Sequence, residues 1–254
     1  MTGNTGLLWL ARRETLRVSK LWTQTVLAPV ISSILFILVF GLSLGDRIKN
    51  VGGVEYEVFI VPGLITMAMI QAAFSNNAST VYQARSDRYI NDVLSAPMRP
   101  WQMTLGYSVG GMFRSLAIGG SLLVLAIILT DVPLERPFAL AAAIVLLLVL
   151  FGALGTVVGI HAETWDHTAF IQNIVIVPLA FVGGVFYSID LLPTPWEQLS
   201  HFNPVFYLVN AVRFGFLGES DVSVWLSLGI VAALAVPAYL WAQYLFASGR
   251  KLKA

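Results

Sequence analysis

The side chains best suited to metal or proton chemistry gather in one short stretch, HAETWDHTAF, where His161, Glu163, Asp166 and His167 fall within seven residues. Glu163 and His167 stand one helical turn apart, a spacing that places two ligands on one face. The H-E-x-x-H arrangement of zinc enzymes is missing, and the remaining histidine, His201, falls on the opposite side of the membrane in the topology derived below. The stretch therefore reads as a polar turn, and no metal site is expected. Other chemistries are excluded by composition. With no cysteine there is no thiolate ligand, disulfide or cysteine nucleophile. There is no G-x-x-x-x-G-K-[ST] phosphate loop and none of the aspartates expected around a nucleotide magnesium, so ATP hydrolysis would need another chain. The apolar runs contain no paired aspartates and no Ser-His arrangement, and no catalytic residue is expected. One cation, Arg114, does interrupt an apolar run. An arginine at the bilayer centre costs roughly 2.5–3.5 kcal/mol on insertion scales. Either its stem carries the guanidinium to the nearby interface, or it pairs with Glu14, Glu163 or Asp166 and locks a gate.

The elements that must position these residues follow from hydropathy. The 254 residues are 57% hydrophobic and 11% charged, with a mean hydropathy of +0.78, against roughly 25% charge in soluble domains. The net charge of +1 gives no reason to expect nucleic acid as a partner. A bilayer core needs roughly 20 apolar residues per helix. Six runs qualify, at about 22–44, 58–80, 106–130, 137–160, 168–187 and 222–246. The first is too long for a signal-peptide core and reads as a retained span. The expected fold is therefore all-α and integral to the membrane, a single domain over residues 1–254 with six transmembrane helices. Ten Lys and Arg residues lie on the side of the two termini and four on the other, which places both ends in the cytoplasm. None of the six runs carries Asp or Glu away from its ends, and this argues against an ion-coupled secondary transporter.

Three connecting segments are informative. WLARRETLRVSKLW, residues 9–22, alternates basic and apolar residues and reads as an interfacial helix drawn to anionic headgroups of membrane lipids. YQARSDRYINDVLSAPMRPWQMTLGY, residues 82–107, contains a short mixed-charge helix at 87–94. It is closed by Ser95-Ala96-Pro97, because proline disfavours a helical residue before it. Residues 188–221 are too aromatic for a solvated loop and too broken by Pro193, Pro195 and Pro204 for one span. They are expected to form an outer re-entrant pair of short helices, with Trp196, Phe202, Phe206, Tyr207 and Phe214 at the headgroup level. Gly41-xxx-Gly45, Gly106-xxx-Gly110 and Gly155-xxx-Gly159 could each let helices approach closely, within one copy or between two.

FIVPGLITMAMIQAAF (59–74), RYINDVLSAPMRPWQMTLGYSVGG (88–111) and VPLAFVGGVFYSIDLLPTPWEQLSHFNPVFYLVNAVRFGFLG (177–218) together resemble the ABC-2 type permeases, membrane subunits of ATP-binding-cassette transporters. The resemblance covers nearly the whole chain. It implies a bacterial inner-membrane exporter for a lipid, drug or polysaccharide, in which two copies of this chain sit on two copies of a separate ATPase that binds ATP and Mg. A non-transporting membrane scaffold is the alternative. The resemblance makes 87–94 the coupling helix, and with the N-terminal helix it would touch the ATPase through Glu14, Arg85, Asp87, Arg88, Asn91, Asp92 and Leu94. Spans two and five would line the cargo path, through Met67, Gln71, Phe74, Asn77, Asn173 and Phe181, with Arg114 as a gate.

Overall fold

The computed structural model describes residues 3–44, 50–51, 53–130, 132–189 and 192–252. Eleven helices follow one another in these residues, with one small hairpin. Helix α1 (Gly3–Lys20) leads through a π-helical turn, Thr23–Leu27, into α2 (Ala28–Leu44). The hairpin β1 (Asn50–Val51) and β2 (Val54–Glu55) pairs Asn50 with Glu55. Then come α3 (Tyr56–Ser86), α4 (Ile90–Ser95), α5 (Pro100–Thr130) and α6 (Pro137–His161). A broken helix follows, made of α7 (Trp165–Ile171), a second π-helical turn at Gln172–Ile176, and α8 (Val177–Val182). The chain ends with α9 (Thr194–His201), α10 (Pro204–Leu217) and α11 (Val224–Ser248).

Among the described residues, five helices are long and apolar enough to cross a membrane: 56–86, 100–130, 137–161, 165–182 and 224–248. They overlie the last five expected spans. Two of them, α3 and α5, have 31 residues each. At 1.5 Å per residue they run about 46 Å, which carries their ends past the hydrocarbon and explains why the apolar runs alone underestimated them. The first run gives the turn Thr23–Leu27 and α2. Its described apolar stretch, Thr23–Phe36, is shorter than the other five.

Local chemistry sets the helix ends. Pro137 and Pro204 occupy first turns, where a missing N–H costs nothing. Asn203 Oδ1 accepts from Val205 N at 3.0 Å and caps α10. Gly249, at φ +63°, closes α11 in the left-handed conformation.

Helix α3 is the hub, packed by α5, α6, α2 and α10. Its contact with α6 is made through Gly155 and Gly159. A Cβ at Gly155 would strike the Phe74 carbonyl, and one at Gly159 would lie 2.5 Å from the Ala78 carbonyl. The other described glycine pair is occupied by α1, since a Cβ at Gly106 would meet Leu10 and one at Gly110 would meet Glu14. Both pairs therefore serve packing within one copy. The third, Gly41-xxx-Gly45, falls partly outside the described residues.

The segment between the helices 165–182 and 224–248 forms two helices, α9 and α10, broken at Asn203-Pro204. Phe206 and Tyr207 do not sit at an outer interface as expected. They are buried, because α10 wedges between α6, α11 and α3. Trp196 and Phe202 are exposed.

Candidate functional site

A groove of about 480 Å³ opens between α2, α3, α5 and the broken helix 165–182, within the ordinary size range of a ligand site. Its lining changes character along its length. Gln24, Ser75, Arg114 and Gln172 line one end, and Phe36, Leu64 and Phe181 the other. From Gln24 to Phe36, from Ser75 to Leu64 and from Gln172 to Phe181 the three helices climb about 13–18 Å together. The groove is thus long enough to hold an amphiphile with its head at one end. At the apolar end the Phe186 ring lies 5.5 Å from Phe181 in a stacked arrangement and 6.3 Å from Phe36.

Both π-helical turns feed this groove, one through Gln24 and the other through Gln172. Wide turns of this kind recur at functional sites because they re-aim side chains and loosen the backbone ladder. Arg114 sits at the polar end. Its Nε donates to the Thr25 carbonyl at 3.0 Å, inside the first wide turn, and its Nη1 donates to Ser75 Oγ at 3.3 Å. Of the two alternatives for this side chain, the ion pair with Glu14, Glu163 or Asp166 is not formed. Among the described residues the ion pairs are Arg17–Glu14 and Arg213–Asp221.

The expected lining residues divide. Met67, Gln71 and Phe181 face the groove. Phe74 and Asn77 do not, for both are buried inside the bundle. Phe74 lies against Gly155. Asn77 Nδ2 donates to the Gly152 carbonyl at 2.9 Å and to Ser108 Oγ at 3.2 Å, tying α3 to α6 and α5. Asn173 is exposed and lies off the groove lining.

Helices α1 and α4 carry the expected partner contacts, and α1 leads directly into the wide turn at the Arg114 end of the groove. Ile90 is buried and roots α4, Leu94 packs partly beneath it, and Asn91 and Asp92 are exposed. Asp87 caps the end of α3 and is exposed, as is Arg88. Arg88 has φ +62°, a conformation that costs a non-glycine residue roughly 1–2 kcal/mol. Arg13 lies 3.9 Å over the Tyr89 ring and joins α1 to α4. Burial raises the Tyr89 phenol above its ordinary pKa, against the pull of the Arg13 guanidinium. Two expected partner contacts turn inward instead. Arg85 Nη1 donates to the Gly159 and Ala162 carbonyls at 3.1 and 2.9 Å, capping the end of α6. Glu14 is wholly buried against Gly110, where it accepts from Arg17 Nε at 3.1 Å. Arg17 reaches on to Asn76 and Thr80 of α3.

In the HAETWDHTAF stretch, Thr164 caps α7 by accepting from His167 N at 3.2 Å. His161 Nδ1 sits 2.9 Å from the Val157 carbonyl. No three His, Asp or Glu side chains converge among the described residues.

Comparison with known proteins places this architecture. The model of the ABC-2 type transporter family matches residues 5–217. The chain belongs to that family. It is 38% identical over 255 residues to the inner membrane transport permease YadH of Escherichia coli K12, covering 98% of this chain and 99% of that one. Nodulation protein J of Rhizobium leguminosarum bv. viciae is 25% identical over 238 residues, 92% of each chain. Nodulation protein J of Rhizobium meliloti is 24% identical over 234 residues, 91% of this chain and 89% of that one. The ABC-2 permease is thus a multi-pass membrane subunit of an ATP-binding-cassette transporter, a family that generally pairs with an ABC ATPase subunit.

Sequence reasoning missed several parts of the ABC-2 permease that the fold brings together. Gln24, Ser32, Ser33, Ser75 and Gln172 all line the groove. Their signal was a polar residue inside an apolar run. A second missed feature is the clasp around Arg213 of α10. Its Nη2 donates to the Gly184 carbonyl at 2.7 Å, its Nη1 lies 3.6 Å from Asp221 Oδ2, and its guanidinium sits 3.9 Å over the Phe59 ring. Asp221 Oδ1 also accepts from Ser188 Oγ.

Proposed function

We propose that this permease is the membrane half of an ATP-driven exporter that moves an amphiphile out of the cytoplasm. The observation that carries the reading is the groove, polar at the Arg114 end and apolar at the Phe181 end. In this reading the helical segment Thr23–Leu44 is the first of six spans, both termini are cytoplasmic, α1 lies in the interface, and α9 and α10 form the outer re-entrant pair. The transporter resides in a bacterial inner membrane, as the name of the 38%-identical relative supports. Two copies face each other across the grooves, and two ATPase subunits beneath them hold ATP and Mg. Closure of the ATPases pushes the α4 helices, and the two bundles rock about their interface.

The exposed residues of α4 make the reading testable. With the permease and its ATPase reconstituted together, Asp92→Lys is expected to lower stimulated ATP turnover about tenfold while the permease still folds. That loss corresponds to about 1.4 kcal/mol of coupling. Arg88→Gly eases the left-handed backbone, so a loss of stimulation in that variant reports the missing side chain alone. No ATPase associating with the permease, or residues 87–94 labelled from outside intact cells, would overturn the proposal.

A further inference from the structure

Arg114 is placed where a charge is costly, and the protein does not neutralise it. A guanidinium has five N–H donors. Nε and one N–H of Nη1 are taken by Thr25 and Ser75. The others, including both on Nη2, have no acceptor among the described residues. No carboxylate lies within 4.0 Å, the two ion pairs there being Arg17–Glu14 and Arg213–Asp221. Intramembrane arginines ordinarily pair with an acid or face a functional cavity. This one borders the groove. The two contacts it does make hold the guanidinium in place and leave both N–H groups of Nη2 open.

A planar, fixed guanidinium matches the paired oxygens of phosphate and carboxylate, and binds them through two parallel N–H···O bonds. The remaining lining supports such a head. Gln71 and Gln172 are polar neighbours in the same groove, and Ser32 and Ser33 lie along α2. Beyond them come Phe36, Met67 and Phe181, whose soft and aromatic surfaces accept acyl or prenyl chains without demanding one shape. Two wide turns border the polar end, so the backbone around the head is the part of the groove best able to adjust.

We infer that the groove selects an anionic amphiphile, with a phosphate or carboxylate head on the open N–H groups of Arg114 and apolar chains against Phe36, Met67 and Phe181. The inference rests on the reading of this groove as the cargo path. The charge then acts as a selectivity element: neutral amphiphiles give the open N–H groups of the guanidinium no charged acceptor, which penalises them as cargo.

Binding to the purified full-length permease in a neutral maltoside detergent tests this, measured by native mass spectrometry. The probes are lysophosphatidic acid, oleate, the uncharged monoolein and inorganic phosphate. Wild type is expected to hold lysophosphatidic acid and oleate about tenfold more tightly than monoolein, the worth of one charge-assisted hydrogen bond. Arg114→Gln should remove the preference, Arg114→Lys should keep part of it, and the double variant Arg12→Gln/Arg13→Gln on the exposed face of α1 should keep all of it. Because the chain has no cysteine, Ser32→Cys supplies a single thiol in an otherwise native groove. Lysophosphatidic acid should shield it from maleimide and monoolein should not, a readout that does not depend on Arg114→Gln folding. Equal binding of monoolein, a preference that survives Arg114→Gln or vanishes in the α1 double variant, or displacement of the lipid by inorganic phosphate alone would each overturn the inference. None of these outcomes touches ATPase association, so failure here is distinct from failure of the transporter reading.

Discussion

Arg17→Ala is expected to destabilise the permease by about 2–4 kcal/mol, more than any other single loss of charge on α1. The reason lies in its partner. Glu14 has no exposed surface, and its only ion pair among the described residues is with Arg17, whose side chain retains 28% exposure. Removing the arginine leaves a carboxylate enclosed by α1, α5 and α3 with nothing to compensate it. The partial exposure of Arg17 lets water approach the pair and puts the loss toward the lower half of the range for breaking buried pairs. Asn76 and Thr80 lose a donor in the same step. Glu14→Gln should cost less, since Arg17 keeps both of those acceptors. In the Arg17→Ala background, Glu14→Gln should restore stability, because a neutral amide is far cheaper to bury than a charge. Thermal unfolding of the four proteins in one detergent gives the coupling directly. A double variant no more stable than Arg17→Ala would show that Glu14 is not the stranded charge.

The second large effect is steric. Gly155→Val places a branched side chain against the Phe74 carbonyl, and Gly159→Val does the same at Ala78. The obstacle is backbone on the hub helix, so no rotamer change relieves it, and overpacking costs typically about 1–3 kcal/mol even where side chains give way. Each variant is expected to lose at least that much, and the pair together to abolish accumulation of folded permease. Gly229→Ala supplies the contrast. Nothing lies within 4 Å of its added methyl, so it should be neutral or gain up to about 1 kcal/mol of helix propensity. Comparable folded yields of Gly155→Val and Gly229→Ala would refute the packing argument.

Much of the architecture was readable from hydropathy because membrane helices must satisfy every backbone group internally. Five apolar runs became five long helices, and proline and asparagine marked the break at Asn203-Pro204. Rotation about the helix axes was not readable. Helix α3 is apolar on nearly every side and buried over most of its length, so no stripe distinguishes the groove face of Met67 and Gln71 from the inner face of Phe74 and Asn77. The packing line of α1 was hidden for another reason. Trp9, Leu16, Leu21 and Trp22 are exposed, as an interfacial helix has them, while Leu10, Glu14 and Val18, at i, i+4 and i+8, are the buried line. The clue was on the other helix, where Gly106 and Gly110 offer a trough at the matching interval. The wide turns at Thr23–Leu27 and Gln172–Ile176 left no mark in composition, since a single inserted backbone unit changes no residue type.

The seating of α1 on those two glycines has a consequence for anyone trimming the amino terminus. Truncation would not simply remove a peripheral strut. It would bare Gly106, Gly110 and the Asn76 amide and leave a hollow that lipid fills poorly. The shortened protein should seek a substitute lid, either detergent or another molecule of itself, and aggregation in such preparations would report a missing cover rather than an unstable bundle.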